Sequence, residues 1–331
     1  MTGPGMIDIV VGLAVLVAAA VALSVRDRLT SVVTFILLGG LLAVLWTAVR
    51  APDVALAEAA IGTGVTGALL VDAVADRRST RASSGRGRGR LLAWAAAALG
   101  GAGLVVVLVS AALAADDSGG VPLTGAVDEA MGSAAVGHEI TAVLLDFRAY
   151  DTLLEVAVIL VAVVGAYALA SAIPSGANSA LSAASAVAEA PTSPQPPAQT
   201  LVDFLRMAAP VLLLLAAWLL FAGAYEPGGA FQGGAMLAGT AILAAGAGAA
   251  PALLDGFSGR ATVSIGPLAF LAAGGAGALY AGHWLHMPPG LEAPATVAVE
   301  AALAVSIGAG LATLFLTVRR RPRQIVGGDR S

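Results

Sequence analysis

Long apolar stretches separated by short polar segments dominate the sequence. Nine of them reach the roughly 20 residues that an α-helix needs to cross about 30 Å of hydrocarbon. They begin near the following residues: Met6, Thr30, Asp53, Leu91, Thr152, Leu201, Gly229, Ala261 and Pro294. The pattern therefore predicts an all-α polytopic membrane protein with about nine transmembrane helices. The first stretch has no basic segment before it, so we expect a helix and not a cleaved signal peptide.

The arginines orient these helices, because cytoplasmic loops are enriched in basic residues. If the N-terminus lies outside, most of them fall on the cytoplasmic side: Arg26, Arg28, the run from Arg77 to Arg90, Arg206, Arg260 and the tail from Arg319 to Arg330. Only Arg50 and Arg148 then lie outside. We therefore predict an outside N-terminus and a cytoplasmic C-terminus, in a multi-pass protein of the bacterial plasma membrane.

Two segments that cannot bury a core divide the chain into three modules. Residues 77–90 alternate Arg, Ser and Gly, and residues 174–200 are rich in Ala, Ser and Pro. We interpret the first as a basic cytoplasmic linker and the second as a further linker. The modules are then residues 1–76 with three helices, residues 91–173 with two, and residues 201–331 with four.

The segment 138–151 has a different pattern from the spans. Its apolar residues recur at helical spacing and polar residues occupy the other positions: Ile140, Val143, Leu144 and Phe147 form the apolar face. This pattern predicts an amphipathic helix that lies along the outer membrane interface and leads into the fifth span.

Composition supports a lipid environment and excludes several kinds of chemistry. Of the 331 residues, 58% are hydrophobic and 11% charged, whereas soluble domains carry about 25% charged residues. Cysteine is absent, which excludes disulfides, thiolate metal sites and Fe–S ligation in this chain. His283 and His286 lack a carboxylate constellation, and no nucleotide-binding or nucleophile motif is present. We expect neither enzymatic activity, a cofactor or a metal site, nor a nucleic-acid partner.

Acidic residues inside the predicted spans are candidates for an ion route, because polar groups at membrane depth usually face a protein interior or a water path. Glu58 lies about 7–8 Å along a helix from Asp53, among small residues that let another helix approach. Glu300 lies about as deep in the ninth span. Each acid could instead form a structural hydrogen bond to a neighbouring helix.

Asp151 and Glu155 lie one turn apart at the start of the fifth span, where like charges on one helix face repel. Either Arg148 compensates, or one carboxyl stays protonated. Both acids are candidates for the ion route, although Asp151 could simply cap the helix N-terminus.

The residues that open the seventh span combine small side chains with one amide: Pro227, Gly228, Gly229, Ala230, Phe231, Gln232, Gly233 and Gly234. Small residues let helix backbones approach closely. A helix start of this kind could also donate hydrogen bonds to an anion or to another subunit. The stretch is therefore a candidate for helix packing or subunit contact.

Three stretches, one in each module, resemble small membrane subunits of Mrp-type Na+/H+ antiporters and of membrane-bound hydrogenase complexes. The stretch Ala51–Glu58 with Gly62–Leu70 is similar to MbhD-type modules, and Leu145–Glu155 is similar to MbhE-type modules. The stretch Pro227–Gly234 resembles the MnhB (MrpB) signature, with Ala230 in place of the third glycine of its Gly-Gly-Gly-Phe-Gln pattern.

The resemblance implies a non-enzymatic subunit that packs beside large antiporter-like and other small Mrp subunits and helps to form a route for Na+ or H+. It implies that Glu58 lies on or near that route, and it makes Asp146 and Arg148 further candidates for helix or subunit contacts. The long helix bundle that precedes such modules in MrpA is missing, so we expect no ion exchange by this chain alone. The alternatives are a subunit of a redox-driven complex, such as a membrane-bound hydrogenase or ferredoxin-linked oxidoreductase, and a scaffold without an ion route.

Overall fold

The computed structural model describes the following residues: 5–76, 88–117, 123–172, 199–249, 252–254, 256–288 and 290–319. These residues form helices and turns, with no strand among them, which confirms the predicted all-α fold. Most of both predicted linkers lies outside the described residues, as does nearly all of the arginine-rich tail: residues 77–87, 174–198 and 320–331.

The first two helices follow the first two apolar stretches. Helix α1 spans Met6–Ser24 and helix α2 spans Arg28–Ala48. Between them Asp27 caps α2, because its carboxylate accepts a hydrogen bond from the Thr30 N–H at 2.8 Å. Such a cap satisfies one of the N–H groups that a first helical turn leaves without an intrahelical partner.

The third predicted span is helical but not a regular α-helix. Helix α3 (Pro52–Ala57) continues into a π-helical segment (Glu58–Val65) and then into helix α4 (Thr66–Asp76). The Thr66 hydroxyl donates to the Ile61 carbonyl at 2.9 Å, within the wider turn of the π segment. Such segments are rare and frequently lie at functional sites.

The chain divides into two compact units. Residues 73–133 form the smaller one, which contains helix α5 (Arg88–Asp117), helix α6 (Leu123–Ala130) and a 3-10 turn. The larger one contains residues 1–72 and 134–331. Its later helices are α7 (Glu139–Ala142), α8 (Ala149–Ala172), α9 (Gln199–Ala222), α10 (Ala230–Gly246), α11 (Gly256–Ala281) and α12 (Glu292–Arg319).

Helix α12 is central to the larger unit. It packs against α8, α10 and α11, and 72% of its apolar window is buried, compared with 11% for α1. Phe270, Leu303 and Ile307 are fully buried in the core between these helices. The ninth apolar stretch is therefore the core helix of this unit, whereas α1 exposes most of its apolar surface.

Seven helices are long and apolar enough to cross a membrane: Met6–Ser24, Arg28–Ala48, Pro52–Val71, Ala149–Leu169, Val202–Ala222, Gly256–Ala281 and Glu292–Thr317. The other two predicted spans correspond to shorter apolar helices, Leu99–Ala111 within α5 and the whole of α10. A multi-pass membrane protein follows from these helices. The count of nine spans, their division into three modules and the orientation stay predictions.

The segment 138–151 differs in detail from a single amphipathic helix. Helix α7 continues as a π-helical segment, Val143–Phe147, which ends where the Arg148 backbone leaves helical geometry. The predicted apolar face is not the buried one, because Ile140 is 47% and Phe147 37% exposed. Instead the neighbouring face is buried against the protein: Thr141, Ala142, Leu145 and Ala149. Small residues on that face allow closer packing than the larger apolar side chains would.

Candidate functional site

A cavity of about 350 Å³ lies in the larger unit, and three sequence segments line it. The first supplies Asp53, Val54, Ala57 and Ile61; the second supplies Ile140, Thr141, Leu144, Leu145, Thr152 and Glu155; the third supplies Gly228, Gly229, Ala230, Phe231 and Gln232, with Glu300 and Leu303 from α12. Each of the three stretches singled out in the sequence therefore contributes to the same cavity wall.

Asp53 joins these segments at one edge of the cavity. One carboxylate oxygen lies 3.1 Å from His138 Nε2, and the other accepts a hydrogen bond from the Gly228 N–H at 3.1 Å. The Gln232 side-chain amide donates to the Asp53 carbonyl at 3.3 Å. A single residue at the start of α3 thus holds both the segment before α7 and the start of α10.

A second set of hydrogen bonds fixes the segment before α7 directly to the loop between α9 and α10. The backbone N–H groups of Gly137 and His138 both donate to the Ala224 carbonyl, at 2.9 and 3.0 Å. The buried Thr141 hydroxyl donates to the Gly223 carbonyl. Because these donors and acceptors are satisfied by each other, the two segments can meet without leaving buried polar groups unpaired.

The start of α10 depends on glycine for its geometry. Gly229 has a φ of +115°, a region that residues with a Cβ rarely adopt. A Cβ on Gly228 would collide with the Leu219 carbonyl of α9. The chain therefore turns tightly enough for the first turn of α10 to face the cavity.

Glu300 is the most buried acid at this site. It is only 3% exposed, and the Ala230 N–H at the start of α10 donates to its carboxylate. Its Oε2 atom has no hydrogen-bond partner among the described residues. Glu300 thus caps α10 with one oxygen and leaves the other oxygen without a protein donor.

The two acids at the start of α8 have separate surroundings. Asp151 pairs with Arg148 at 2.8 Å, outside the cavity, so Arg148 compensates one of the two negative charges. Glu155 lines the cavity, one turn further along α8. Near it the buried Thr152 hydroxyl donates to the Leu144 carbonyl at 2.7 Å, which ties α8 to the preceding π-helical segment.

Glu58 is not among the residues that line the cavity. It is the first residue of the π-helical segment, and its carboxylate lies against Gly62 and faces Gly39 of α2. The described residues therefore bring Glu155 and Glu300 to one cavity and place Glu58 on the other side of the third span, toward α2.

The remaining candidates mainly occupy helix contacts. A Cβ on Gly233 would lie 3.0 Å from the Ala216 carbonyl of α9, and one on Gly234 would lie 2.9 Å from the Ala304 carbonyl of α12. Asp146 accepts a hydrogen bond from the Ala135 N–H at 2.8 Å. Desolvation raises the pKa of Asp146 above its ordinary value, although that hydrogen bond favours the charged form.

Sequence reasoning missed Asp53 and His138 as parts of the site. Asp53 follows Pro52 and has the ordinary appearance of an acid in a first helical turn. His138 lies 85 residues further along the chain, and no spacing rule connects residues so far apart. The available signal was the polar character of both at the ends of apolar stretches, where the chain returns to one membrane side.

Comparisons with known proteins agree with the architecture. The model of the MbhD family, a component of MBH, matches residues 13–78. A family described as "Domain related to MnhB subunit of Na+/H+ antiporter" matches residues 200–318. No curated protein matches the sequence.

A solved structure extends the similarity beyond these two regions. A chain in the "Structure of Mrp complex from Dietzia sp. DQ12-45-1b" matches 95% of this chain with a TM-score of 0.69 and 25% sequence identity. This chain spans 35% of the length of that one. The MbhE-like character of the middle module stays a prediction from its sequence. The chain is therefore an Mrp-type subunit in which an MbhD domain and an MnhB-related domain are fused.

Proposed function

We propose that this chain is a membrane subunit of a multi-subunit Mrp-type antiporter that exchanges a monovalent cation, Na+, for protons. The observation that carries the proposal is the shared cavity, to which all three recognisable stretches contribute side chains. In this proposal the cavity forms part of the ion route, with Glu155 and Glu300 on its wall. The other antiporter subunits and the lipid bilayer are its partners.

The charge of the cavity wall supports a cation as the passing species. Its described lining residues include Asp53, Glu155 and Glu300 and contain no arginine, lysine or histidine. A cleft lined by one sign of charge raises the local concentration of ions of the opposite sign. A volume of about 350 Å³ exceeds by roughly tenfold the ~30 Å³ that one water molecule occupies in the liquid, so an ion can keep part of its hydration shell.

The family assignment points to a transporter subunit and not to an enzyme. The chain contributes to the route and to assembly, and the antiporter-like subunits supply the rest of the path. It acts in the bacterial plasma membrane, with its N-terminus outside and its C-terminus in the cytoplasm.

Everted vesicles that carry the whole complex test this function. We expect Glu155→Gln to lower Na+-dependent dissipation of a pH gradient at least tenfold, because the isosteric amide keeps the shape of the side chain and removes its charge. Glu226→Gln is the matched control, since Glu226 is exposed and does not line this cavity. Unchanged antiport in Glu155→Gln and Glu58→Gln, with loss of the complex only when the chain is deleted, would support a scaffold without an ion route.

The MbhD match favours a second candidate, in which the same fused domains serve a redox-driven membrane complex. This chain has no cysteine to hold an Fe–S cluster, so the redox centres would belong to other subunits. Iron and nickel analysis of the complex that copurifies with the chain separates the two candidates. Stoichiometric iron or nickel supports the redox-driven complex, and their absence together with Na+/H+ exchange supports the antiporter.

A further inference from the structure

We propose that the first turn of α10 and Glu300 form a binding site for a partly dehydrated monovalent alkali cation, with Gln232 as its second side-chain ligand. This inference rests on the proposed function and deepens it, because it assigns the ion a defined stopping place on the cavity wall. The site combines a buried carboxylate, a buried amide and a glycine that leaves the space between them open.

Glu300 provides the anionic ligand. Its carboxylate accepts one hydrogen bond, from the Ala230 N–H, and its Oε2 atom has no partner among the described residues. The side chain is 97% buried, since only 3% of it is exposed. An unpaired ionised carboxylate in such surroundings is costly, and a cation at the free oxygen would remove that cost.

Gln232 provides a neutral oxygen close to this carboxylate. Its amide nitrogen donates to the Asp53 carbonyl, which fixes the side-chain orientation and directs the amide oxygen away from Asp53. That oxygen and Glu300 Oε1 lie 3.8 and 3.2 Å from the point where a Cβ on Gly229 would stand. Glycine at this position therefore keeps open the space that both oxygens face.

The ligand chemistry favours a monovalent cation over the other ions. An anion would meet the Glu300 carboxylate, with no basic side chain among the described lining residues. Ca2+ usually takes several carboxylates, and no group of three or more His, Asp or Glu side chains gathers in the described part of the chain. One carboxylate, one amide and water from the cavity instead suit a weakly held ion that must leave again.

Direct binding of ²²Na+ to the purified complex tests this site. The measurement is made at constant pH and ionic strength, with choline chloride as the balancing salt. We expect saturable binding to the natural complex and at least tenfold weaker binding to Glu300→Gln. Glu292→Gln is the matched control, because Glu292 lies on the same helix, is exposed and does not line the cavity; it should bind Na+ like the natural complex.

The glutamine at position 300 can still accept the Ala230 N–H, so the start of α10 should be preserved, and copurification of the partner subunits checks assembly. A second measurement needs no substitution. Dicyclohexylcarbodiimide reacts with protonated carboxyls and forms a stable N-acylurea, whose position peptide mass spectrometry identifies. We expect Glu300 to be labelled in Na+-free medium, and NaCl but not choline chloride to slow that labelling.

The outcomes separate this site from the wider function. Weaker Na+ binding in Glu300→Gln alone, with Na+-sensitive labelling of Glu300, supports the site. Natural Na+ binding by an assembled Glu300→Gln complex overturns it, as does labelling that is absent or ignores Na+. If antiport nevertheless depends on Glu155, the proposed function stands without this site; if it does not depend on Glu155, both fail.

Discussion

Gly234 lies where α10 crosses α12, and replacing it with alanine should destabilise the protein. A Cβ there would lie 2.9 Å from the Ala304 carbonyl and equally close to two side-chain atoms of Ile307. Ordinary contact begins near 3.4 Å, so the helices would have to separate by several tenths of an ångström. Because the carbonyl belongs to the backbone of the most buried helix, no flexible side chain can absorb the overlap.

The expected size of this effect follows from two opposing contributions. Overpacking of a well-packed core costs about 1–3 kcal/mol, and replacing glycine by alanine inside a helix returns roughly 0.5–1 kcal/mol. We therefore expect Gly234→Ala to lose about 1–2 kcal/mol. Gly239→Ala is the matched control on the same helix, because no atom lies within 4 Å of its Cβ position; it should be neutral or gain roughly 0.5–1 kcal/mol.

Thermal unfolding of the detergent-solubilised complex, followed by tryptophan fluorescence at one fixed heating rate, measures this difference. The heating rate is held constant because unfolding of large complexes is often irreversible. A lower midpoint for Gly234→Ala and an equal or higher midpoint for Gly239→Ala are expected. Equal midpoints for the two variants would refute the close contact between α10 and α12.

Three further substitutions test the geometry around the cavity. Asp53→Ala should lower stability by about 1–3 kcal/mol, since it removes the partner of His138 and the acceptor of the Gly228 N–H, and Asp53→Asn should lose less because it keeps an acceptor; equal losses in unfolding experiments would contradict this. Gly229→Ala should cost roughly 1–2 kcal/mol through its positive φ and lower antiport in vesicles, whereas natural stability would show that this turn is not strained by a Cβ. Arg148→Gln should cost less than about 1 kcal/mol, because the pair with Asp151 is largely exposed, and a larger loss would show that the pair is buried in the assembled complex.

The hydrophobic pattern was sufficient to predict the helices because each span must satisfy its own backbone hydrogen bonds in lipid. That requirement is local, so length and apolar character reveal where a span begins. The same reasoning made Glu155 and Glu300 candidates, since an acid at membrane depth needs a protein or water neighbour. Both do line the cavity.

The rest depends on contacts between distant parts of the chain. No local rule states that the first turn of α3 meets residues near His138 and Gly228, or that Glu58 faces α2 while Glu155 faces the cavity. The buried face of residues 139–147 was also not predictable from hydrophobicity, because the small residues Ala142 and Thr141 pack inward in place of the larger Ile140. Close approach of backbones decided the outcome there.

The natural absence of cysteine permits a direct test of the central claim that ions cross through this cavity. Leu144→Cys places a thiol on the cavity wall, and Leu154→Cys places one on an exposed part of α8 that does not line it. A membrane-impermeant cationic methanethiosulfonate is then applied to vesicles carrying each complex, with the cysteine-free chain as background. Strong inhibition of Na+/H+ exchange in Leu144→Cys alone is the predicted result. Complete modification of Leu144→Cys with unchanged exchange would contradict an ion route through the cavity.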